Sequence, residues 1–338
     1  MQLWHVVPAF SERTVAQRPR GFRLPRELCV IVLLSRLAAV SPQPEIIAHV
    51  LFGEGPAWCA DGTLMCTSVG EGRLYRVWPD ECRAALFADT KGGANACAPA
   101  ADGGFVVTQN GGIDFSRFDL PGFDTLPPYM PVTPGLQYVA PDATVTYLAT
   151  HVDDSTALNA PNDLVVVPDG TVYFTDPGKH PLPDPPIGRI LKLTRDGLVS
   201  VVDGPYNYCN GIALDHEGTL LVVEAAGILR LHDDGSREWI VEQLGKAPGD
   251  GFCVDVAGNI YVACSSDNCI KVIDADGAMV EQFDMASMAP TGVVTNCCFG
   301  GADGRTLFAT HAMPGTVVMW RDLPHPGRAI YPWPGLSV

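Results

Sequence analysis

The chain has 338 residues and a formal net charge of −16, which excludes nucleic acid and anionic membrane surfaces as expected partners. Charged residues make up only 18% of it, below the roughly 25% of an average domain. Its 35 glycines and 29 prolines are typical of a turn-dense β protein and exclude a helical bundle.

Residues 1–44 differ in composition from the rest of the chain. They carry six arginines but only two acids, and the apolar run at 28–34 is too short to span a bilayer. The long charged stretch before that run gives only a weak likeness to a signal peptide. We expect 1–44 to be an N-terminal arm, either weakly signal-like or non-native, and 45–338 to be one globular domain.

The eleven cysteines are scattered and contain neither a C-x-x-C pair nor a Cys/His spacing suited to zinc. A chain of this length does not need the disulfide framework of small secreted domains. We interpret most of them as small buried apolar residues and expect a cytoplasmic protein, with secretion through the N-terminal segment as the alternative.

One sequence pattern occurs six times. Each copy has a polar residue in a Gly- or Pro-flanked loop, a short apolar stretch, a turn residue followed by Gly, and a second apolar stretch. The turn residue lies seven positions after the leading polar residue in every copy and is acidic in all except Ala257. An acid-Gly pair between apolar runs predicts a β-hairpin. The six leading residues are Glu54, Asn95, Asn162, Asn210, Asp250 and Asn296.

The spacing of the copies predicts the fold. Leading residues are 40 to 48 positions apart, except for one interval of 67 that contains an aromatic-rich insertion at roughly 113–150. Hairpin units of this length are typical of propeller blades, and the absence of the dipeptide Trp-Asp disfavours the WD40 type. We predict an all-β fold, a six-bladed β-propeller over 45–338, closed by strands within 45–50 and 326–332.

A radial arrangement of the six units places the leading residues around one mouth of the central channel. A single Asn before Gly is most often a turn former, but turn chemistry does not also place Glu and Asp at the same position. Carboxylate and amide oxygens without His or Cys favour a hard cation, Ca²⁺ first, then Mg²⁺ or Mn²⁺, with Zn²⁺ as a further alternative. Two carboxylates about 4–5 Å apart repel by roughly 3–4 kcal/mol at an effective dielectric of about 20, and a divalent ion removes that penalty. The sequence therefore predicts a metal site in the channel.

Four of these segments resemble the gluconolactonase/regucalcin (senescence-marker-protein) family of six-bladed propeller lactonases, which is related to diisopropylfluorophosphatase. The matching segments are Gly53-Glu54-Gly55-Pro56, Asn162-Asp163, Cys209-Asn210-Gly211 and Gly249-Asp250-Gly251. The resemblance covers nearly all of 45–338. It implies one divalent ion held by Glu54, Asn210 and Asp250, with Asn162 as a fourth ligand or a substrate contact.

The chain departs from the family pattern beside Asn162. Sugar-lactonase members of the animal branch carry Arg two residues before this Asn, where it contacts the sugar acid, and here that position is Ala160. Cys209 also replaces the usual Pro before Asn210. We therefore expect a less polar pocket that takes a lactone other than a simple sugar lactone. The expected covering residues are aromatic side chains of the insertion: Phe115, Phe118, Phe123, Tyr129 and Tyr138.

Further polar residues are candidates for substrate contact or for support of the site. Asn95 and Asn296 belong to the ring, and Asn110 and His311 lie at the same offset from them, at the ends of second strands. These four are the candidate substrate contacts. Candidate supporting residues lie one position earlier in their strands: Gln109, Asp176 and Glu224.

The function expected from the sequence is a metal-dependent, lactonase-type hydrolase that acts on a small lactone or ester. Asp250 is the candidate catalytic residue, because a carboxylate bound to the ion through one oxygen can orient or deprotonate the attacking water. The alternatives are a phosphotriesterase-like hydrolase with the same site and a non-catalytic calcium-binding or interaction propeller. Propellers are also reused for unrelated chemistry, including carbon–carbon bond formation. Retention of Glu54 and Asp250 favours the metal-dependent classes.

Overall fold

The computed structural model describes residues 43–118, 122–179, 181–246 and 248–337. In this part of the chain, 26 strands form six four-stranded antiparallel sheets and one two-stranded hairpin. The innermost strand of each sheet contacts the innermost strands of its two neighbours, which closes the sheets into a ring. The predicted six-bladed β-propeller is therefore confirmed. The expected arm at 1–44 lies outside the described residues except for 43 and 44, so its separation from the propeller stays a prediction.

The first three blades follow β1 (Glu45–His49) along the chain, each with its innermost strand first. Blade 1 consists of β2 (Gly53–Trp58), β3 (Leu64–Ser68), β4 (Arg73–Trp78) and β5 (Arg83–Asp89). Blade 2 consists of β6 (Ala94–Pro99), β7 (Phe105–Gln109), β8 (Gly135–Val139) and β9 (Val145–Ala149). A short hairpin of β10 (His151–Asp153) and β11 (Thr156–Ala157) follows. Blade 3 consists of β12 (Leu164–Val166), β13 (Val172–Asp176), β14 (Gly188–Leu193) and β15 (Val199–Tyr206).

The remaining blades continue in the same way. Blade 4 consists of β16 (Cys209–Leu214), β17 (Leu220–Glu224), β18 (Gly227–Leu231) and β19 (Arg237–Val241). Blade 5 consists of β20 (Gly249–Val254), β21 (Ile260–Cys264), β22 (Cys269–Ile273) and β23 (Met279–Asp284). Blade 6 consists of β24 (Val293–Gly300), β25 (Thr306–Met313), β26 (Thr316–Trp320) and β1.

Short helices occur only in the loops of the described ranges. Four single-turn 3₁₀ helices lie at Pro79–Glu81, Phe115–Arg117, Phe123–Thr125 and Ser265–Asp267. No helix in these ranges has the length and apolar character needed to cross a bilayer.

The turns between the first two strands of each blade form as the repeats predict. All six glycines that follow the turn residues have φ between +71° and +96°, a region that side chains other than Gly rarely adopt. In blade 3, Oδ1 of Asp169 accepts the backbone N–H of Thr171 at 2.8 Å. The acid thus caps the turn that the glycine permits, which explains why the pair recurs.

Apolar cores between neighbouring blades hold the ring together. The core between blades 5 and 6 contains Tyr261, Phe283 and Trp320, and the rings of Phe283 and Trp320 meet edge to face with centroids 5.3 Å apart. Removing a buried aromatic ring of this kind typically costs about 3–5 kcal/mol of stability. Because each core joins two blades, packing fixes where the innermost strands lie around the channel.

Ring closure agrees with the sequence prediction at one end of the chain and differs at the other. β1 pairs antiparallel with β26 and becomes the outermost strand of blade 6, as expected for a strand within 45–50. The prediction of a closing strand within 326–332 is wrong. That segment forms one isolated bridge, between Gly327 and Asp255, and Trp333, just after the segment, forms another with Ala100. Its prolines at 324, 326, 332 and 334 lack the N–H groups that a blade strand needs.

The insertion is also shorter than the expected range of 113–150. β8 and β9, the outer strands of blade 2, begin at Gly135, so the extra segment lies between Gln109 and Gly135. Tyr138 belongs to β8, where its hydroxyl donates to Asp102 and its ring packs against Trp333. Tyr138 is therefore not one of the residues that cover the pocket.

Candidate metal and substrate site

The six leading residues lie at corresponding places in the blades, at or just before the innermost strands. In five blades the pairing of the first two strands is interrupted here. In blade 1, for example, the register is lost after Glu54 and resumes at Ala57. Such a bulge re-aims the side chains of the bulged strand. Glu54, Asn95, Asn210 and Asn296 are buried, whereas Asn162 and Asp250 are half-buried.

Threonine hydroxyls tie three of these residues to the preceding blade. In each case Oγ1 of a threonine at the end of a second strand donates to the backbone carbonyl of a leading residue. The pairs are Thr67 with Asn95, Thr108 with Asn162 and Thr175 with Asn210. Asn162 therefore holds the same backbone position as the other leading residues, as the repeat alignment predicts.

The position after each leading residue marks a narrow part of the channel. Gly251 shows why: a Cβ there would lie 2.0 Å from Cγ of Asn296. Asp163 is the only one of the six residues at this position with a charged side chain. Its Oδ2 accepts a hydrogen bond from Nδ2 of Asn296 at 3.5 Å. Asp163 and Asn296 both line a central cavity of about 140 Å³. The residues at this position are Gly55, Ala96, Asp163, Gly211, Gly251 and Cys297.

Three carboxyl groups lie near one another at the site. Burial raises the pKa of Asp163 to about 7, and it raises the pKa of Asp250 to about 7. Burial, followed by the charges of Asp250 and Asp163, raises the pKa of Glu54 well above its usual range. A nearby positive charge would favour all three ionised forms. The site is therefore electrostatically suited to a cation.

Two side chains that the sequence did not single out contact the predicted ligands. Oγ of Ser265 donates to Oδ2 of Asp250 at 2.8 Å. Nδ2 of Asn210 donates to Oη of Tyr208 at 3.2 Å. Burial and the charges of Asp250 and Glu54 raise the pKa of Tyr208, which keeps the phenol neutral. Asp163 is a third residue of the site to which the sequence analysis did not assign a role. It appeared there only as part of the Asn162-Asp163 segment of the family pattern.

The predicted supporting residues hold the loops that lead into the innermost strands. Oδ1 of Asp176 accepts the backbone N–H of Ala160 at 2.8 Å, and its Oδ2 lies 2.8 Å from Nη2 of Arg189. Glu224 and Gln109 accept backbone N–H groups of the corresponding loops in blades 4 and 2. These residues fix the backbone ahead of the leading Asn side chains.

His311 occupies a different position from the one expected. The hairpin of blade 6 has the same length as that of blade 2, with Gly300 opposite Thr306 as Pro99 is opposite Phe105. Its second strand, β25, runs on to Met313, so His311 lies within the strand and not at its end. His311 is 0% exposed, and its Nε2 lies 2.9 Å from Oδ1 of Asn268. Burial lowers its pKa to about 4. It belongs to the interior between blades 5 and 6, and we do not include it among the proposed substrate contacts.

An aromatic cluster lies beside the start of β2, the strand that carries Glu54. The cluster consists of Phe52, two positions before Glu54, together with Phe115, Phe118 and Phe123 of the insertion. The ring centroids of Phe52 and Phe115 are 4.7 Å apart. Three of the five aromatic residues expected to cover the pocket therefore lie together.

The other predicted residues of the insertion have separate environments. Tyr129 is 42% exposed. Asn110, a candidate substrate contact, is buried, and its Oδ1 accepts the backbone N–H of Gly112 at 2.8 Å. Its observed contact thus holds the start of the insertion.

The donors at the mouth fit a hard cation. No group of three or more His, Cys, Asp or Glu side chains in the described ranges is arranged to hold an ion. A site here must therefore combine few carboxylates with amide or water oxygens, a mixture that Ca²⁺ accepts. The predicted set is of this kind: Glu54, Asn162, Asn210 and Asp250.

Comparison with known proteins places the chain in a family. Residues 52–313 match the family described as "SMP-30/Gluconolactonase/LRE-like region". The gluconolactonase of Zymomonas mobilis is 25% identical over 316 residues, which cover 81% of this chain and 80% of the relative. The pentonolactonase of Haloferax volcanii is 34% identical over 162 residues, 45% of this chain and 53% of the relative. Both names agree with the expected lactonase-type enzyme class.

A solved structure has the same fold as this chain. The crystal structure of a calcium-binding protein, regucalcin, from Agrobacterium tumefaciens has a TM-score of 0.70 and 19% identity, and the match covers 86% of this chain and 97% of that one. This likeness shows the shared propeller fold. The family match over most of the propeller confirms the resemblance found in the repeats: the chain belongs to the SMP-30/Gluconolactonase/LRE-like family.

Proposed function

We propose that the protein is a metal-dependent hydrolase that opens a lactone. The observation that carries this proposal is the meeting of Glu54, Asn210 and Asp250, from blades 1, 4 and 5, at one acidic site. The lactonase names of two relatives support the reaction class. The structural neighbour described as calcium-binding supports Ca²⁺ as the ion.

Each residue has a defined task in this proposal. Glu54, Asn210 and Asp250 hold the ion, and Asn162 is a fourth ligand or a substrate contact. When bound, a divalent ion draws charge from the ester carbonyl and stabilises the oxyanion. Asn95 and Asn296 are candidate substrate contacts at the same mouth.

Asp250 is the proposed catalytic residue. Ser265 holds one of its carboxylate oxygens, which fixes the orientation of the group. The carboxylate accepts a proton from water as the water oxygen bonds to the carbonyl carbon. The ring C–O bond then breaks, and the proton passes to the released alkoxide to give a hydroxy acid.

The proposed substrate is a lactone with an apolar or aromatic body. Ala160 offers no charged group for a sugar acid, and the segment that leads to Glu54 packs against an aromatic cluster. We expect an aromatic lactone such as dihydrocoumarin to be hydrolysed faster than gluconolactone. Shortening the insertion within 113–133 should reduce the first rate more than the second. A clear preference of the unmodified protein for gluconolactone would contradict this assignment.

The test of the reaction class is a substrate panel measured after EDTA treatment and after Ca²⁺ is restored. The panel contains aromatic and sugar lactones, a linear aryl ester and a phosphotriester. We expect lactone hydrolysis that EDTA abolishes and Ca²⁺ restores. Preferred hydrolysis of the phosphotriester would favour the phosphotriesterase-like alternative. Tight Ca²⁺ binding without any hydrolysis would favour the non-catalytic propeller.

Variants locate the ion within the chain. Glu54→Gln and Asp250→Asn each remove one negative charge from the proposed site and should lower the bound Ca²⁺ measured by elemental analysis. Asp234→Asn, in an exposed hairpin turn, is the matched control and should bind Ca²⁺ normally. Full occupancy in the double variant of Glu54 and Asp250 would place the ion elsewhere.

A further inference from the structure

Asn210 makes a contact that bears on how it could serve as a ligand. Its Nδ2 donates to the phenolic oxygen of Tyr208 at 3.2 Å, and its amide also contacts the carboxylate of Asp250. An amide side chain presents oxygen at one end and NH₂ at the other, and only the oxygen binds a cation. Acceptors for the NH₂ end therefore decide which end of Asn210 faces the site.

The backbone on both sides of Tyr208 is held in place. Its N–H donates to Oε2 of Glu224 at 3.2 Å, and its carbonyl accepts the N–H of Ala225 at 3.0 Å. Oε1 of Glu224 also accepts the backbone N–H of Asn207 at 2.8 Å. Because Glu224 lies at the end of β17, the second strand of blade 4, these bonds anchor the start of the innermost strand to its neighbour.

The phenol itself lies at the acidic site. The carboxylates of Asp250 and Glu54, from blades 5 and 1, are among the groups that act electrostatically on Tyr208. Neither acid lies near Tyr208 in the sequence. The backbone anchor in blade 4 thus delivers a hydrogen-bond acceptor to the place where the proposed ligands meet.

We propose that Tyr208 is a positioning residue for Asn210, which accepts from its NH₂ group and thereby turns its amide oxygen toward the cation. The inference rests on the proposed metal site. Partners that orient metal ligands typically change affinity by 10–100-fold when they are removed. Tyr208 is assigned no contact with the reacting atoms.

The test uses the full chain, stripped of metal with EDTA, and measures Ca²⁺ affinity by calorimetry. Tyr208→Phe keeps the ring and removes the oxygen, and we expect at least a tenfold loss of affinity. Tyr147→Phe is the control. Tyr147 is an exposed residue of β9, and the variant removes a phenol oxygen that donates to the backbone carbonyl of Thr133. Equal affinity in Tyr208→Phe and the unmodified protein would overturn the proposal, provided that thermal unfolding shows both to be folded.

A second measurement separates orientation of the amide from other effects. In an Asn210→Asp background both ligand atoms are oxygens, so the orientation no longer matters. We expect Tyr208→Phe to change Ca²⁺ affinity less than twofold in that background. An undiminished loss there would overturn the proposal, since independent effects add.

Turnover distinguishes a positioning residue from a catalytic one. With lactone as substrate, kcat of Tyr208→Phe should recover when Ca²⁺ is raised to saturation. A kcat that stays low at saturating Ca²⁺ would place the phenol on the substrate and overturn the positioning role. If the unmodified protein binds no Ca²⁺, the proposed metal site fails and this inference with it. If the unmodified protein binds Ca²⁺ and Tyr208→Phe binds it equally well, the positioning role fails but the proposed metal site stands.

Discussion

The hydroxyl of Ser265 lies 2.8 Å from Oδ2 of Asp250, and it is also 2.9 Å from the backbone carbonyl of Val294 in blade 6. The single hydroxyl proton is shared between these acceptors. Ser265 therefore connects the proposed catalytic carboxylate to the next blade.

The first prediction concerns this serine. Ser265→Ala should weaken Ca²⁺ binding about tenfold, because one ligand loses the partner that orients it. Ser236→Ala removes a comparable hydroxyl–carboxylate contact, 2.6 Å from Asp234 in an exposed turn, and should have no effect. The measurement is calorimetric titration of the metal-free proteins. Unchanged affinity in Ser265→Ala would mean that Asp250 is oriented by other groups.

The second prediction concerns pH. The pKa of Asp163 and that of Asp250 are raised to about 7, whereas an unfolded Asp titrates near about 3.9. Between these values the folded state holds protons that the unfolded state lacks, so the free energy of unfolding of the metal-free protein should fall as pH rises. A bound divalent ion replaces those protons. Saturating Ca²⁺ should therefore raise Tm more at pH 7.5 than at pH 5.5.

The control for the pH experiment is Asp163→Asn. Burial lowers the pKa of His311 to about 4, which contributes a slope of opposite sign below about pH 6.5. The variant and the unmodified protein both retain His311, so the difference between their pH slopes gives the contribution of Asp163 alone. In EDTA, Asp163→Asn should lose less stability between pH 5.5 and 7.5 than the unmodified protein. Identical slopes would show that Asp163 does not hold its proton in this range.

The third prediction concerns the threonine contacts between blades. Thr175→Val removes the hydroxyl that donates to the carbonyl of Asn210 at 2.6 Å, and the buried carbonyl should then cost about 1–3 kcal/mol of unfolding free energy. Val223 occupies the corresponding position in blade 4, so a valine side chain fits at this place in a blade. Thr146→Val, on the exposed strand β9, should change stability by less than about 0.5 kcal/mol. Denaturant unfolding measures both, and equal values would contradict the assigned role.

The fourth prediction concerns His311. His311→Ala should lower the unfolding free energy by about 2 kcal/mol or more, because it removes a fully buried side chain from the contact between blades 5 and 6. KM for a lactone should stay within twofold. His232→Ala, at a half-exposed side chain in blade 4, is the control for both readings. A large rise in KM with stability retained would return His311 to the substrate site.

The repeats predicted the fold because each hairpin needs the same turn chemistry wherever its blade lies. Asp169-Gly170 is such a turn, and both its φ and its side-chain bond follow from local geometry. The outer strands of blade 2 escaped prediction because Gln137 and Thr146 interrupt their apolar pattern. The length of the insertion was overestimated for that reason.

The leading residues were visible in the sequence, but the groups that hold them were not. Tyr208 lies two positions before Asn210, yet the acids it meets come from blades 1 and 5. Ser265 follows β21 at the same offset from Asp250 as Asn110 has from Asn95, but its second partner depends on how blade 6 packs against blade 5. Contacts of this kind arise from the approach of distant strands, so a pattern of spacing within one blade does not contain them.

The pairing of β1 with β26 has a consequence for folding and synthesis. Glu54 belongs to the first complete blade of the chain, while its neighbour Asp250 belongs to the fifth, and blade 6 between them is finished only when the two ends of the propeller pair. A nascent chain can therefore assemble most blades one after another before the residues of the proposed cation site meet. Binding of the proposed ion would then come last, so that metal affinity would report on completed ring closure and ion binding would stabilise the closed ring by linkage.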